Sequence, residues 1–317
     1  MIDENKKTGL SGLHVSTAGG KIAKVFGLEP ALEDIRDAGY EYIDFWLCVY
    51  CEKLDGPMRA PDWRNWVKET GKLIESYGLK VGQCHAHWRL KEEIGENFEI
   101  KQPTVTSLRC FEAAAMLGTD RLVFHPFERW FPLDLNCTAE EAHRRILEKN
   151  AEHFAAMLPA AENAGIEIHL ENLFDHKKKT GIYGEGFPCG PASDLIAIAD
   201  MIGSDRVKFC LDTGHANING LDVPGMIREF GPRLGSLHLN DNFGHIGPVY
   251  EDLHLFPGYG LLDWKGIFEA LEETGYSGTI NCEPNGQLGR MPKAVRVAQL
   301  KAGREIMESM RDGCFDI

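Results

Sequence analysis

Four apolar runs in the second half of the chain end in side chains that can hold a cation. IEIHLE (166–171) ends in Glu171 and VKFCLD (207–212) in Asp212; LGSLHL (234–239) carries His238 near its end, and GTINCE (278–283) ends in Glu283. One such residue alone is ordinarily a hydrogen-bonded polar residue at a rim. Three carboxylates and an imidazole brought to one depth are electrostatically costly unless a cation neutralises them. The donor set is mostly hard oxygen, which favours manganese, magnesium or cobalt over zinc. The cofactor expected is therefore one divalent cation, manganese first, with magnesium, cobalt or zinc as alternatives.

The same rule finds an outer group. His85 ends LKVGQCH and is followed by His87, and His125 ends RLVFH. His215 stands three residues past Asp212, and Asp252 and His254 stand in EDLHLFPGYG. A histidine at a strand end serves as readily to hydrogen-bond a substrate as to bind a metal. Phe45, Trp46, Trp88 and the aromatic segment FERWF (127–131) could wall a ligand pocket, or could simply pack beneath loops. The long Gly-rich stretch 172–190 follows a ligand-bearing run and suits a lid or a subunit contact. Its lysines at 177–179 suit either an acidic substrate or a solvated loop tip.

Those residues need a frame that brings the ends of many strands together. Eight short apolar runs recur, at 12–17, 41–47, 79–85, 121–125, 166–171, 207–212, 234–239 and 278–283. Each has the length of a strand buried on both faces. Amphipathic segments separate them, several ending in Gly just before the next run (Gly39, Gly78, Gly165, Gly275). Thr138 with acidic residues three positions on is a capping box, and Pro159 is expected to kink the helix that follows rather than end it. Alternation without a composition shift predicts an α/β protein, a single (β/α)8 TIM barrel over residues 1–317, with its active face at the strand C-termini. The alternative is an open doubly wound sheet, whose Gly-rich first turn has only a weak candidate in STAGGK (16–21).

Composition narrows the function. The chain has 317 residues, 43% hydrophobic, with a net charge of −14. That balance disfavours a protein that must neutralise phosphates, so no nucleic acid is expected as partner. No run approaches the ~18 apolar residues of a membrane span, and MIDENKKTGL has no signal-peptide core. A cytoplasmic location is expected. The nine cysteines lie mostly in apolar runs and read as buried reduced thiols. Cys48 and Cys51 form a lone CxxC at the end of an apparent strand, where positions three apart point to opposite faces and do not share a metal.

The segments LENL, CLDTGHANI, LHLND with DLHLFPGYGLLDW, and NCEP resemble, in order and spacing, the xylose-isomerase-like TIM-barrel superfamily of sugar-phosphate isomerases and epimerases. The resemblance covers nearly the whole chain. It implies that the metal ligands of ketose 3-epimerases fall on Glu171, Asp212, His238 and Glu283, and that His215 meets a substrate hydroxyl. It also implies that Glu171 and Glu283 are the pair that removes and returns a proton beside a carbonyl, through a metal-stabilised enediolate. The partner is then a small sugar, its phosphate or a keto-polyol, with the long loop available for a homo-oligomer contact. A lyase, a dehydratase or a keto-glycoside-cleaving enzyme on the same metal site is the first alternative. The second is a phosphodiesterase like the three-zinc apurinic/apyrimidinic endonucleases. Their further ligands would fall on His85, His125, His215, Asp252 and His254, all present here. The acidic charge and aromatic loops favour the sugar reading.

Overall fold

A computed structural model describes residues 8–88, 90–95, 100–127, 138–174, 188–244, 252–284 and 287–315. Each apolar run becomes a strand: β1 (Val15–Ala18), β2 (Tyr42–Trp46), β3 (Lys80–His85), β4 (Arg121–Phe124), β5 (Glu167–Glu171), β6 (Val207–Asp212), β7 (Leu234–His238) and β8 (Ile280–Cys282). All pairings are parallel, in the order β7-β6-β5-β4-β3-β2-β1-β8. A bridge between Leu239 and Cys282 joins β7 to β8 and closes the ring. The fold is a TIM barrel, with helices between successive strands. The doubly wound alternative is set aside by that closure.

The upper part of every strand is buried, which is why the runs read as continuous rather than alternating. Alternation still decides which way each side chain faces. In β2, Asp44 reaches His238, while Phe45 stacks on Tyr50 outside the strand ring. Phe45 is thus packing, not a pocket wall. The four glycines before the strands all adopt left-handed φ values (87° at Gly39, 67° at Gly275), which lets each helix turn directly into its strand.

Two local expectations need correction. Thr138 does cap its helix, accepting from the Glu141 amide at 3.2 Å, but that helix stops at Ala155 and a second runs over Leu158–Ala164. Pro159 lacks the N–H that would reach the Ala155 carbonyl, and its ring crowds that carbonyl, so it starts a helix instead of kinking one. Cys48–Cys51 is a helical turn, not strand, and Cys51 Sγ lies 3.6 Å from Cys110 Sγ. The glycines of STAGGK serve packing: a Cβ on Gly19 would come within 2.6 Å of the Trp46 ring. Among the described residues no helix is long and apolar enough to cross a membrane.

Candidate metal centre

Parallel strands of similar length put their last residues at one level, so Glu171, Asp212, His238 and Glu283 meet. One donor atom from each lies within 4.8 Å of the others. Glu171 and Asp212 are buried, as is His238. His238 Nδ1 stands 3.0 Å from Glu171 Oε1 and 3.6 Å from Glu283 Oε2. Its other nitrogen, Nε2, donates to Asp44 Oδ2 at 3.0 Å. Asp44 therefore keeps the proton on Nε2 and leaves Nδ1 to present a lone pair to the carboxylates.

That arrangement tests whether a cation fits. His238 Nδ1 is buried without a hydrogen-bond partner and faces the carboxylates of Glu171 and Glu283. A lone pair facing carboxylate oxygens is repulsive unless a proton or a metal ion stands between them. The donor set of three carboxylates and one imidazole suits a divalent ion. The residues fit.

The outer group closes around the inner one. His85 Nε2 and His125 Nε2 approach Glu171 Oε2 at 3.2 and 3.0 Å. His85 Nδ1 is engaged by the Ala86 carbonyl at 2.7 Å, so Nε2 faces the centre. On the other side His215 Nδ1 bonds the Asn172 carbonyl at 2.8 Å, and its Nε2 lies 3.7 Å from Asp252 Oδ2. His254 joins Asp252 at 2.7 Å and the Glu283 carbonyl at 3.0 Å. Two further sets could hold ions: His85, Glu171 and His238, and Asp212, His215 and His254. Trp46 and Trp88 line a cavity together with Asp44, His85 and Glu283. The segments 128–131 and 175–187, with the three lysines, lie outside the described residues; Phe127 is buried against His153.

Charge in this ring is strongly redistributed. Burial pushes the Glu171 carboxyl up, but His238 and His125 outweigh burial and hold it well below the usual range. Burial lifts Asp212 to about 6, helped by Glu171 and Glu283 and opposed by His215 and His254. Burial would lower His215, yet Asp212, Asp252 and Glu171 raise it to about 10. His238 is likewise carried well above its ordinary value, its burial outweighed by Cys210, Glu171, Glu283 and Asp44. His125, buried and beside His85 and His215, falls to about 4 despite Glu171. Without a metal the ring holds protons that a cation would displace.

Several residues of the centre escaped the strand-end rule. Asp44 accepts from His238, from Gln83 at 2.9 Å and from Asn281 at 3.2 Å. An acid inside the apolar run EYIDFWL was the signal that could have found it. Asn240 Nδ2 holds Asp212 Oδ2 at 2.9 Å, and Asn172 bonds the Asp212 backbone at both ends. Asp241 anchors the loop that carries His254. Its backbone pairs with Leu255, and its carboxylate accepts from Gly258 and from Trp264 Nε1 at 3.0 and 2.8 Å. That pairing holds His254 in a left-handed conformation, φ 43°, sparsely populated by non-glycine residues.

Comparison with known proteins places these features in context. An uncharacterised protein of Methanocaldococcus jannaschii is 30% identical over 223 residues, 68% of either chain. A D-psicose 3-epimerase of Enterocloster bolteae is 32% identical over 136 residues, 42% of this chain and 39% of the enzyme. An inosose dehydratase of Lacticaseibacillus casei is 24% identical over 144 residues, 42% of this chain and 46% of the enzyme. The chain thus matches under half the length of each named enzyme. A crystal structure of D-psicose 3-epimerase in the presence of D-fructose shares the fold (TM-score 0.69, 17% identity, 95% of this chain and 100% of the other). So does an IolI protein with a bound zinc atom (TM-score 0.67, 16% identity, 96% and 100%). The pattern of the xylose isomerase-like TIM barrel family matches residues 32–310, and the chain belongs to that family, whose members here include sugar epimerases and a dehydratase.

Proposed function

We propose that the protein is a divalent-metal-dependent epimerase or isomerase of a ketose, its phosphate or a keto-polyol, working by proton transfer beside the carbonyl. The observation that carries this reading is the carboxylate pair. Glu171 from β5 and Glu283 from β8 reach the same imidazole nitrogen, at 3.0 and 3.6 Å, from different strands. Glu171, Asp212, His238 and Glu283 would hold the ion, which supplies Lewis acidity for the negative charge that develops on the carbonyl oxygen. Glu171 takes the proton from the carbon beside the carbonyl, and Glu283 returns one to the opposite face. His215, its Nδ1 fixed on the Asn172 carbonyl, offers Nε2 to a substrate oxygen. His85 and His125 steady the Glu171 carboxylate, and His238 and His125 keep it ionised, as a base must be. The relatives named D-psicose 3-epimerase support the choice of reaction.

Incubation with ketoses in deuterated water tests the roles. Glu171→Gln and Glu283→Gln keep shape and remove a base, so the first should abolish exchange of the substrate proton and the second should abolish formation of the epimer; exchange retained in the first, or epimer still formed by the second, overturns the assignment. Two other readings have an observation each. The dehydratase relatives favour loss of water on the same site, recognised by an unsaturated product. The two additional donor sets favour three ions and a phosphodiesterase. Elemental analysis separates that reading, since epimerisation needs one ion per chain.

A further inference from the structure

Resting on the proton-transfer reading above, we propose that the substrate is an anionic ketose, whose phosphate or carboxylate binds Lys21 and Lys24 at the end of the cavity beside the metal centre.

The metal centre itself is rich in acid: Asp44, Glu171, Asp212, Asp252 and Glu283 all lie within it or against it. An anionic substrate entering it needs fixed positive charge nearby, and a neutral sugar does not. Lys21 and Lys24 supply that charge. They line the same cavity as Asp44, His85 and Glu283, so a ligand held at the strand ends extends toward them.

The placement of the two lysines is built into the fold. They lie three residues apart on the helix Gly20–Phe26, so their side chains share a face, while Ile22 and Ala23 go to the core. The helix can sit there because Gly19 and Gly20 lack side chains. A Cβ on Gly19 would lie 2.6 Å from the Trp46 ring, and one on Gly20 would lie 3.1 Å from Trp46 Cβ. Trp46, a cavity wall, thus serves as the seat of the lysine helix. Gly289, in the segment after β8, is bare where a Cβ would come within 3.5 Å of Lys21 Cγ. Lys21 is exposed, and its stem lies close to the segment after β8, on the cavity that Glu283 also lines. Lys24 Nζ lies over the Trp88 ring, 5.7 Å from its centroid, and 3.9 Å from Glu52 Oε2. The Glu52 contact is long and partly exposed, so it leaves much of the charge for a ligand. The exposed face of Trp88 carries the sugar chain between the centre and the ammonium groups.

The test compares D-fructose, its 6-phosphate and the ketohexuronate with a carboxylate at the same carbon. The metal-loaded wild type and the Lys21→Met/Lys24→Met double variant are assayed for proton exchange in deuterated water and for binding by calorimetry. The wild type should prefer an anionic ketose over fructose by at least about tenfold in kcat/KM, and salt should weaken that preference. The double variant should lose the preference through KM, with kcat held. Greater loss for the phosphate or for the carboxylate identifies the anion. Equal turnover of fructose by the wild type, or a preference that survives in the double variant, overturns the anion site and leaves the proton-transfer reading standing. If no ketose exchanges its proton, the proton-transfer reading fails instead. Calorimetry then decides the anion site alone: anion binding that falls about tenfold in the double variant upholds it, and unchanged or absent binding overturns it.

Discussion

The two halves of the barrel do different work. Strands β5 to β8 each deliver a potential metal ligand, Glu171, Asp212, His238 and Glu283. Strands β1 to β4 deliver none of those four. They contribute the cavity walls, the lysine helix after β1, and the acid Asp44 that aims His238. One half concentrates negative charge at a point, and the other shapes and charges the space beside it. The difference teaches that a ring of equivalent strands still divides its labour, because chemistry needs converging donors while recognition needs a surface.

Four experiments bear on that division. On the ligand half, Glu171→Gln or Glu283→Gln should lower kcat by about 10²–10⁴-fold with KM little changed, read from steady-state kinetics. On the supporting half, Asp44→Asn should leave the chain folded but weaken metal affinity by about 10–100-fold, measured by competition with a chelator. An unchanged affinity would mean that β2 has no part in aiming His238. Proton competition comes next. Burial raises Asp212 to about 6, so below that pH its protonated form prevails and must be displaced. Metal affinity should thus fall about tenfold more per pH unit below 6 than above it, where the His238 proton still has to be displaced, as calorimetry across pH would show. Trp88→Ala should have the smallest effect, a rise in KM of about two- to tenfold at constant kcat. A loss of kcat there instead would place Trp88 with the ligand half.

Much of the ligand half was legible in the sequence, because a strand that ends in an acid or a histidine places it at the barrel mouth whatever its neighbours are. Eight apolar runs separated by amphipathic segments sufficed for the architecture. The supporting half was mostly hidden. Asp44 meets His238 across 194 residues, and only the closed ring brings β2 opposite β7. Asn240 and Asp241 stand two and three residues past His238, but hydrogen bonding through side chains leaves no periodic trace. Pro159 was misjudged because tolerance of proline depends on what else can hold the broken turn. The glycines beside Trp46 show a motif whose meaning lies in a contact with another strand.

The closure of the ring carries one further consequence. Neighbouring strands elsewhere pair over two or more residues, but β7 and β8 meet through a single bridge, with two amide bonds of 2.9 Å about Leu239. His238 and Glu283 flank that seam on either side. On the proposed ligand set, an ion would rivet the barrel shut at its weakest joint. Stripping the ion should then loosen hydrogen exchange at Leu239 and Glu283 before it loosens any other strand, and the metal would be a fastener as much as a reagent.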